Sequence, residues 1–224
     1  MRDQNLESLI GMFGEKVLFD LTVRIVLTTA MGSAPEAFIK DRGSLYFEPD
    51  WTPQSMQQAL PSTLLQLQSA FNLINEHLTQ NGPFMNGTKP SYADAVIQHI
   101  IWFLCGRWDG GEAFIVPFSE LAAHRDMIVK FGHGNESELA AEDALEIARA
   151  SEPASPTGIN CTYTAGLQIG QRVKIRPAGQ TGDPDVYGNL RYLDSQRISI
   201  DYQHDDVGAV AVHFPVLGYQ ISAS

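Results

Sequence analysis

Cysteine is nearly absent: the 224 residues include only Cys105 and Cys161. A disulfide scaffold is therefore excluded, and a reducing, cytoplasmic setting is expected. Long apolar runs are also missing. None approaches the roughly 20 residues that cross a bilayer, so no membrane span is expected. The opening Met1-Arg2-Asp3-Gln4-Asn5 has no continuous apolar run behind it, so no secretory leader is expected either. Basic charge is scarce, with 15 Lys and Arg against 26 Asp and Glu, a net charge of −11. No run of Lys and Arg offsets this, so nucleic acid is not an expected partner. Catalytic signatures are missing too. The six histidines form no His-x-x-x-His or His-Glu-x-x-His pair, and His124 and His133 are a weak metal signal. No metal is expected. There is no Gly-x-Ser-x-Gly, P-loop or dinucleotide fingerprint.

What is present divides near residue 165. Residues 1–164 carry 10 Lys and Arg against 20 Asp and Glu, while residues 165–224 carry 5 against 6. The hydrophobic period changes at the same place, from about 3.6 to 2. Leu6, Leu9, Ile10, Phe13, Val17, Leu18, Leu21 and Ile25 recur at steps of three and four, which predicts one or two helices over 3–30. Gly11 and Gly14 mark a kink or a close helix contact there. Residues 32–53, with Gly32, Pro35, Gly43, Pro49 and Pro53, are expected to be irregular and anchored by Phe38, Tyr46, Phe47 and Trp51. Thr52-Pro53 reads as an N-cap and first-turn proline. The stripe Leu64, Leu67, Phe71, Ile74, Leu78 predicts a long helix to about Gln80, ended by Asn81-Gly82-Pro83.

Ser91-Tyr92-Ala93-Asp94 is the sharpest local signal. Ser91 is placed as an N-cap, and Asp94 can reach back to its N–H. The helix it opens, about 92–105, is nearly all apolar and expected to be buried on most sides. A turn-rich link follows over 106–117, then helices over 119–131 and 136–150. Residues 151–158 (SEPASPTG) read as a linker. Beyond it, about five short strands alternate apolar and polar residues, with turns at Gly179–Pro184 and Asp205–Gly208. Five strands in so short a stretch predict a small curled barrel.

The segment from about 64 to 104 resembles the helical C-terminal domain of cytosolic glutathione transferases. The shared elements are His77-Leu78, then Gly82-Pro83-Phe84-Met85, Gly87, and Pro90-Ser91-Tyr92-Ala93-Asp94 opening a central helix. The tail resembles one carried by some bacterial and fungal transferase-like proteins, through Gly170–Ile175, Gly188-Asn189-Leu190, His213-Phe214-Pro215 and Gly218-Tyr219. The resemblance implies a mainly α chain with a small β part: a GST C-terminal-like helical bundle over 1–150, a linker over 151–164, and an SH3-like small β-barrel over 165–224. It also implies that the chain opens at the first helix of the transferases' second domain. The thioredoxin-like domain that binds glutathione is then lacking, and no cofactor is expected. Glu7-Ser8 resembles the pair that grips the glutathione amino-acid end, but reads here as part of a helix.

Candidate site residues are those aromatics that could line a hydrophobic pocket: Phe13, Tyr46, Phe47, Trp51, Trp102 and Trp108, with Phe19 and Phe103 in the same set. Core packing is the rival reading for each. Ser91 and Asp94 are assigned to the helix cap and not to chemistry. Cys105 reads as an inert buried thiol unless Arg107 lies beside it. No catalytic residue is assigned. The expected function is a glutathione S-transferase-like protein that binds a hydrophobic small molecule in its helical domain. Two alternatives stay open. One is an interaction module, with a homodimer or a partner protein covering the helical face. The other is a fragment or split partner of a glutathione transferase.

Overall fold

The computed structural model describes residues 4–154, 156–164, 166–179 and 183–224, with the side chains of residues 4–6 and 8 also outside the description. The Ser8 side chain and residues 180–182, half of the expected Gly179–Pro184 turn, thus lie outside the described residues. The chain forms two compact units, Met1–Asn135 and Glu136–Ser224.

The first unit is helical. It comprises α1 (Gln4–Phe13), a π-helical turn (Gly14–Leu18), α2 (Phe19–Ala30), α3 (Glu36–Tyr46), α4 (Pro53–Asn81), α5 (Tyr92–Arg107), α6 (Gly111–Ile115) and α7 (Ser119–Val129). Helix α4 starts as its sequence dictates. The Ser55 N–H donates to Thr52 Oγ1 at 3.0 Å, and the Thr52 N–H donates to Ser55 Oγ at 2.9 Å. Pro61 lies inside this helix. The predicted stripe faces inward, with Leu67, Phe71, Ile74 and Leu78 buried. Each such side chain contributes about 1.5–3 kcal/mol by leaving water. They meet Ile97, Ile100, Ile101 and Leu104 of α5, and Leu18, Leu21 and Ile25, in one core. Gly82 ends α4 at φ +109°, a conformation that favours glycine.

Two helical expectations are corrected. Residues 36–46, read as irregular, form α3. Gly43 serves packing there: a Cβ would collide with the Trp51 ring. Composition alone could not separate a glycine needed for close approach from one that ends a helix. Helix α5 is also less hidden than its apolar sequence suggested, since Tyr92 is 60% and Trp102 57% exposed.

The second unit holds α8 (Ala141–Arg149) and the strands β1 (Gly158–Asn160), β2 (Arg172–Pro177), β3 (Val186–Asp194), β4 (Arg197–His204), β5 (Gly208–Pro215) and β6 (Tyr219–Ala223). They form a single sheet in the order β5-β4-β3-β2-β6, with β1 parallel to the end of β3. Val173, Ile175, Leu190, Leu193, Ile198 and Ile200 make its core. The expected SH3-like closure does not occur: β5 and β6 end the strand path unpaired with each other, so the sheet is open. Alternation in a strand shows which face is buried but not which edges meet. Arg191 fastens the segment before β1. Its Nη2 donates to the Pro153 and Ala154 carbonyls at 2.7 and 2.9 Å, and its Nη1 pairs with Asp201 at 2.8 Å.

Candidate functional site: an apolar groove on the helical unit

The π-helical turn brings the α1–α2 segment against α5. Gly14 permits the approach, because a Cβ at this position would collide with Val96. The two segments diverge around that contact and leave an open groove of about 410 Å³. Glu15 and Phe19 line one wall, and Tyr92, Ala95, Val96 and His99 the other, with Ile100 beneath. A volume of this size suits a small ligand.

Aromatic packing stiffens the walls. Phe19 is stacked against Phe103 at 5.9 Å between centroids and takes Tyr46 edge-on at 5.6 Å. His99 stacks on Trp102 at 5.9 Å and 26°. Such contacts contribute about 0.5–1.5 kcal/mol each and hold the rings in fixed orientations.

The predicted aromatics are therefore dispersed. Trp102 adjoins the groove through His99, and Tyr46 backs Phe19. Phe13 and Trp108 pack on the main helical core. Phe47 and Trp51 meet edge-to-face at 5.1 Å in a separate cluster with Val23, Leu27 and Ile39. Sequence reasoning missed Glu15, Tyr92, Ala95, Val96 and His99 as one surface. The available signal was the second stripe of α5. Ala93, Asp94, Ile97, Ile100, Ile101 and Leu104 are its buried stripe, whereas Tyr92, Ala95, His99 and Trp102 recur at helical spacing on the exposed side.

Polar clusters elsewhere are structural. Asp94 is 1% exposed and fully engaged. Its Oδ1 accepts from the Met85 N–H at 2.7 Å and lies 2.9 Å from His124 Nε2. Its Oδ2 accepts from the Ser91 N–H at 2.7 Å and the Ser91 hydroxyl at 2.8 Å. Burial pushes the Asp94 carboxyl upward, but the His124 bond, then those from Met85 and Ser91, hold it below its ordinary value. Ser199 Oγ is 2.6 Å from His213 Nδ1. That hydroxyl is no nucleophile, because Ser199 is fully buried between strands. Burial and Glu112 push the Cys105 thiol up to about 11, with Arg125 opposing, so it is protonated and unreactive near neutrality. Among the described residues, no group of three His, Cys, Asp or Glu is placed to hold a metal ion. No helix of the described residues is long and apolar enough to cross a membrane.

No protein-family model matches the chain. No curated protein matches it. Among solved structures, it is similar to a GST-like protein from Pseudomonas syringae, with a TM-score of 0.70 and 24% identity, over 97% of this chain and 68% of that one. The chain has a GST-like fold. The likeness spans both the helices and the strands, since nearly the whole chain is aligned. The α5 capping motif and the loop before it thus occur in a GST-like helical setting.

Proposed function

We propose that this chain is a glutathione S-transferase-like protein whose helical unit holds a hydrophobic small molecule in the groove between Glu15–Phe19 and Tyr92–Ile100. The observation that carries this reading is the second apolar stripe on α5. Tyr92 and Trp102 are more than half exposed beside a cavity of about 410 Å³. A helix that turns apolar side chains to both the core and solvent favours a ligand or partner on the second face. The GST-like fold supports the same reading, and no cofactor is invoked. Tyr46 supports Phe19 from behind, and Trp102 flanks the groove on its exposed side through His99. Phe13, Phe47, Trp51 and Trp108 serve core packing and do not line the groove.

Ala95 provides the test, because its side chain is exposed on the groove wall and outside the core. Ala95→Trp should fill the cavity and lower the affinity for a naphthyl-type fluorescent probe by at least about tenfold, while leaving the melting temperature nearly unchanged. Titration fluorescence and thermal melts read both. Unchanged affinity in the folded variant removes the groove as the ligand site.

One observation favours a second reading of the same face. The chain aligns with 68% of the length of the GST-like neighbour. The groove would then seat a thioredoxin-like domain and not a free small molecule. Adding a purified domain of that kind separates the two readings: competition with the probe supports seating, and independent binding does not.

A further inference from the structure

The edge of β5 has none of the features that usually keep a sheet edge solitary. The strand is eight residues long, GAVAVHFP, with no Lys, Arg, Asp or Glu. Its register with β4 runs unbroken from Arg197↔Pro215 to His204↔Gly208, with no bulge. Its only proline is the last residue. Charges, bulges, interior prolines and short length are the usual protections of an edge.

The register shows which backbone groups are free. The Val216 N–H donates to the Gln196 carbonyl at 2.9 Å, which makes that pair a hydrogen-bonded one. Such pairs alternate along an antiparallel ladder. Ser199↔His213, Asp201↔Ala211 and Gln203↔Ala209 are therefore non-bonded pairs. The N–H and C=O groups of Ala209, Ala211 and His213 point away from β4. Pro215 falls in the same class, where its missing N–H costs β4 nothing. Among the described residues, β5 pairs as a strand with β4 alone.

We infer that this edge joins a second copy of the chain, β5 to β5, antiparallel about a two-fold axis at Ala211. The sequence itself selects this occupant. A two-fold contact requires a surface complementary to itself. Centring on Ala211 sets Ala211 against Ala211, Ala209 against His213, and Val210 against Val212. The outward groups then form about six inter-copy hydrogen bonds, and the valines make β-branched cross-strand pairs. No charge meets a like charge along the strand, although the whole chain carries −11. This surface is separate from the helical groove and does not depend on the ligand reading.

Ala211→Pro removes an outward N–H and leaves the β4 ladder its donors. Sedimentation of the full chain at about 100 μM should show a dimer, and Ala211→Pro should weaken association at least about tenfold with the circular-dichroism spectrum retained. Ala211→Cys, in a chain carrying Cys105→Ser and Cys161→Ser, keeps the edge intact and guards against misfolding of the proline variant. The two thiols would sit across the axis at about 5.5 Å between Cα atoms, within disulfide reach, so mild oxidation should give a covalent dimer. A monomer at that concentration overturns the inference. So does a dimer that survives Ala211→Pro and forms no cross-link, or an open series of larger assemblies, which would mean β5 joining the β6 edge instead.

Discussion

Each unit uses one charged side chain to tie distant segments together, but the two do so in different surroundings. In the helical unit, Asp94 gathers the loop before α5, the start of α5 and His124 of α7, and is 1% exposed. In the strand unit, Arg191 gathers β3, β4 and the segment at Pro153 and Ala154, and its partner Asp201 is 46% exposed. Removing a tie from dry surroundings leaves partners with nothing to replace it. Removing one beside water lets solvent take over part of its work. The same kind of device should therefore matter much more in the helical unit.

The largest effect tests that directly. Asp94→Ala should cost about 3–5 kcal/mol, because it leaves the Met85 N–H and the His124 ring buried without their acceptor. Among the described residues His124 Nδ1 has no hydrogen-bond partner, so no second bond holds the ring in place. Urea unfolding followed in the helical unit measures the loss, and a cost below about 1 kcal/mol would abolish the contrast. The pH dependence carries the same information. The folded carboxyl sits below its ordinary 3.8, so as pH falls the unfolded chain takes up the proton first. The stability Asp94 supplies is full above about pH 4 and lost as pH falls through the folded value. Asp94→Asn should flatten that part of the acid limb.

Arg191→Met comes next, at about 2 kcal/mol. The two bonds to carbonyls carry most of it, since the ion pair with half-exposed Asp201 is screened by solvent. The variant should speed proteolysis around Pro153 well before the sheet unfolds, with circular dichroism of the strands retained. Equal loss of the segment and the sheet would show that Arg191 belongs to the core after all.

The sequence revealed most where the chemistry is local. The start of α5 was legible because Ser91 and Asp94 are three residues apart and a helix terminus needs such partners. His124 was not, because it lies 30 residues from Asp94 and meets it only through packing. The stripe of α4 was legible from its spacing, but α3 was hidden by Gly43, whose role depends on Trp51 folding back over it. Strand β1 escaped because its three residues pair in parallel with distant β3. The open sheet escaped because alternation is the same in a closed barrel and an open one. The groove escaped for a related reason. An apolar helix reads as buried, and only the neighbouring segments determine which of its two stripes stays uncovered.

The smallest prediction sharpens the comparison within the Asp94 cluster itself. The Ser91 hydroxyl donates to Asp94 Oδ2, and that oxygen also accepts from the Ser91 N–H. Ser91→Ala therefore removes one of two bonds to an oxygen that keeps the other, and leaves both Oδ1 bonds in place. The expected cost is about 1 kcal/mol, near that of an ordinary cap and well below that of Asp94→Ala. Ser91→Thr keeps the hydroxyl and should recover most of it. Neither change touches the Ala95–His99 wall, so affinity for the groove probe in the folded fraction should stay within about twofold of the parent. Paired melts and titrations decide the point: stability retained with binding lost would place Ser91 in the site and not beneath it.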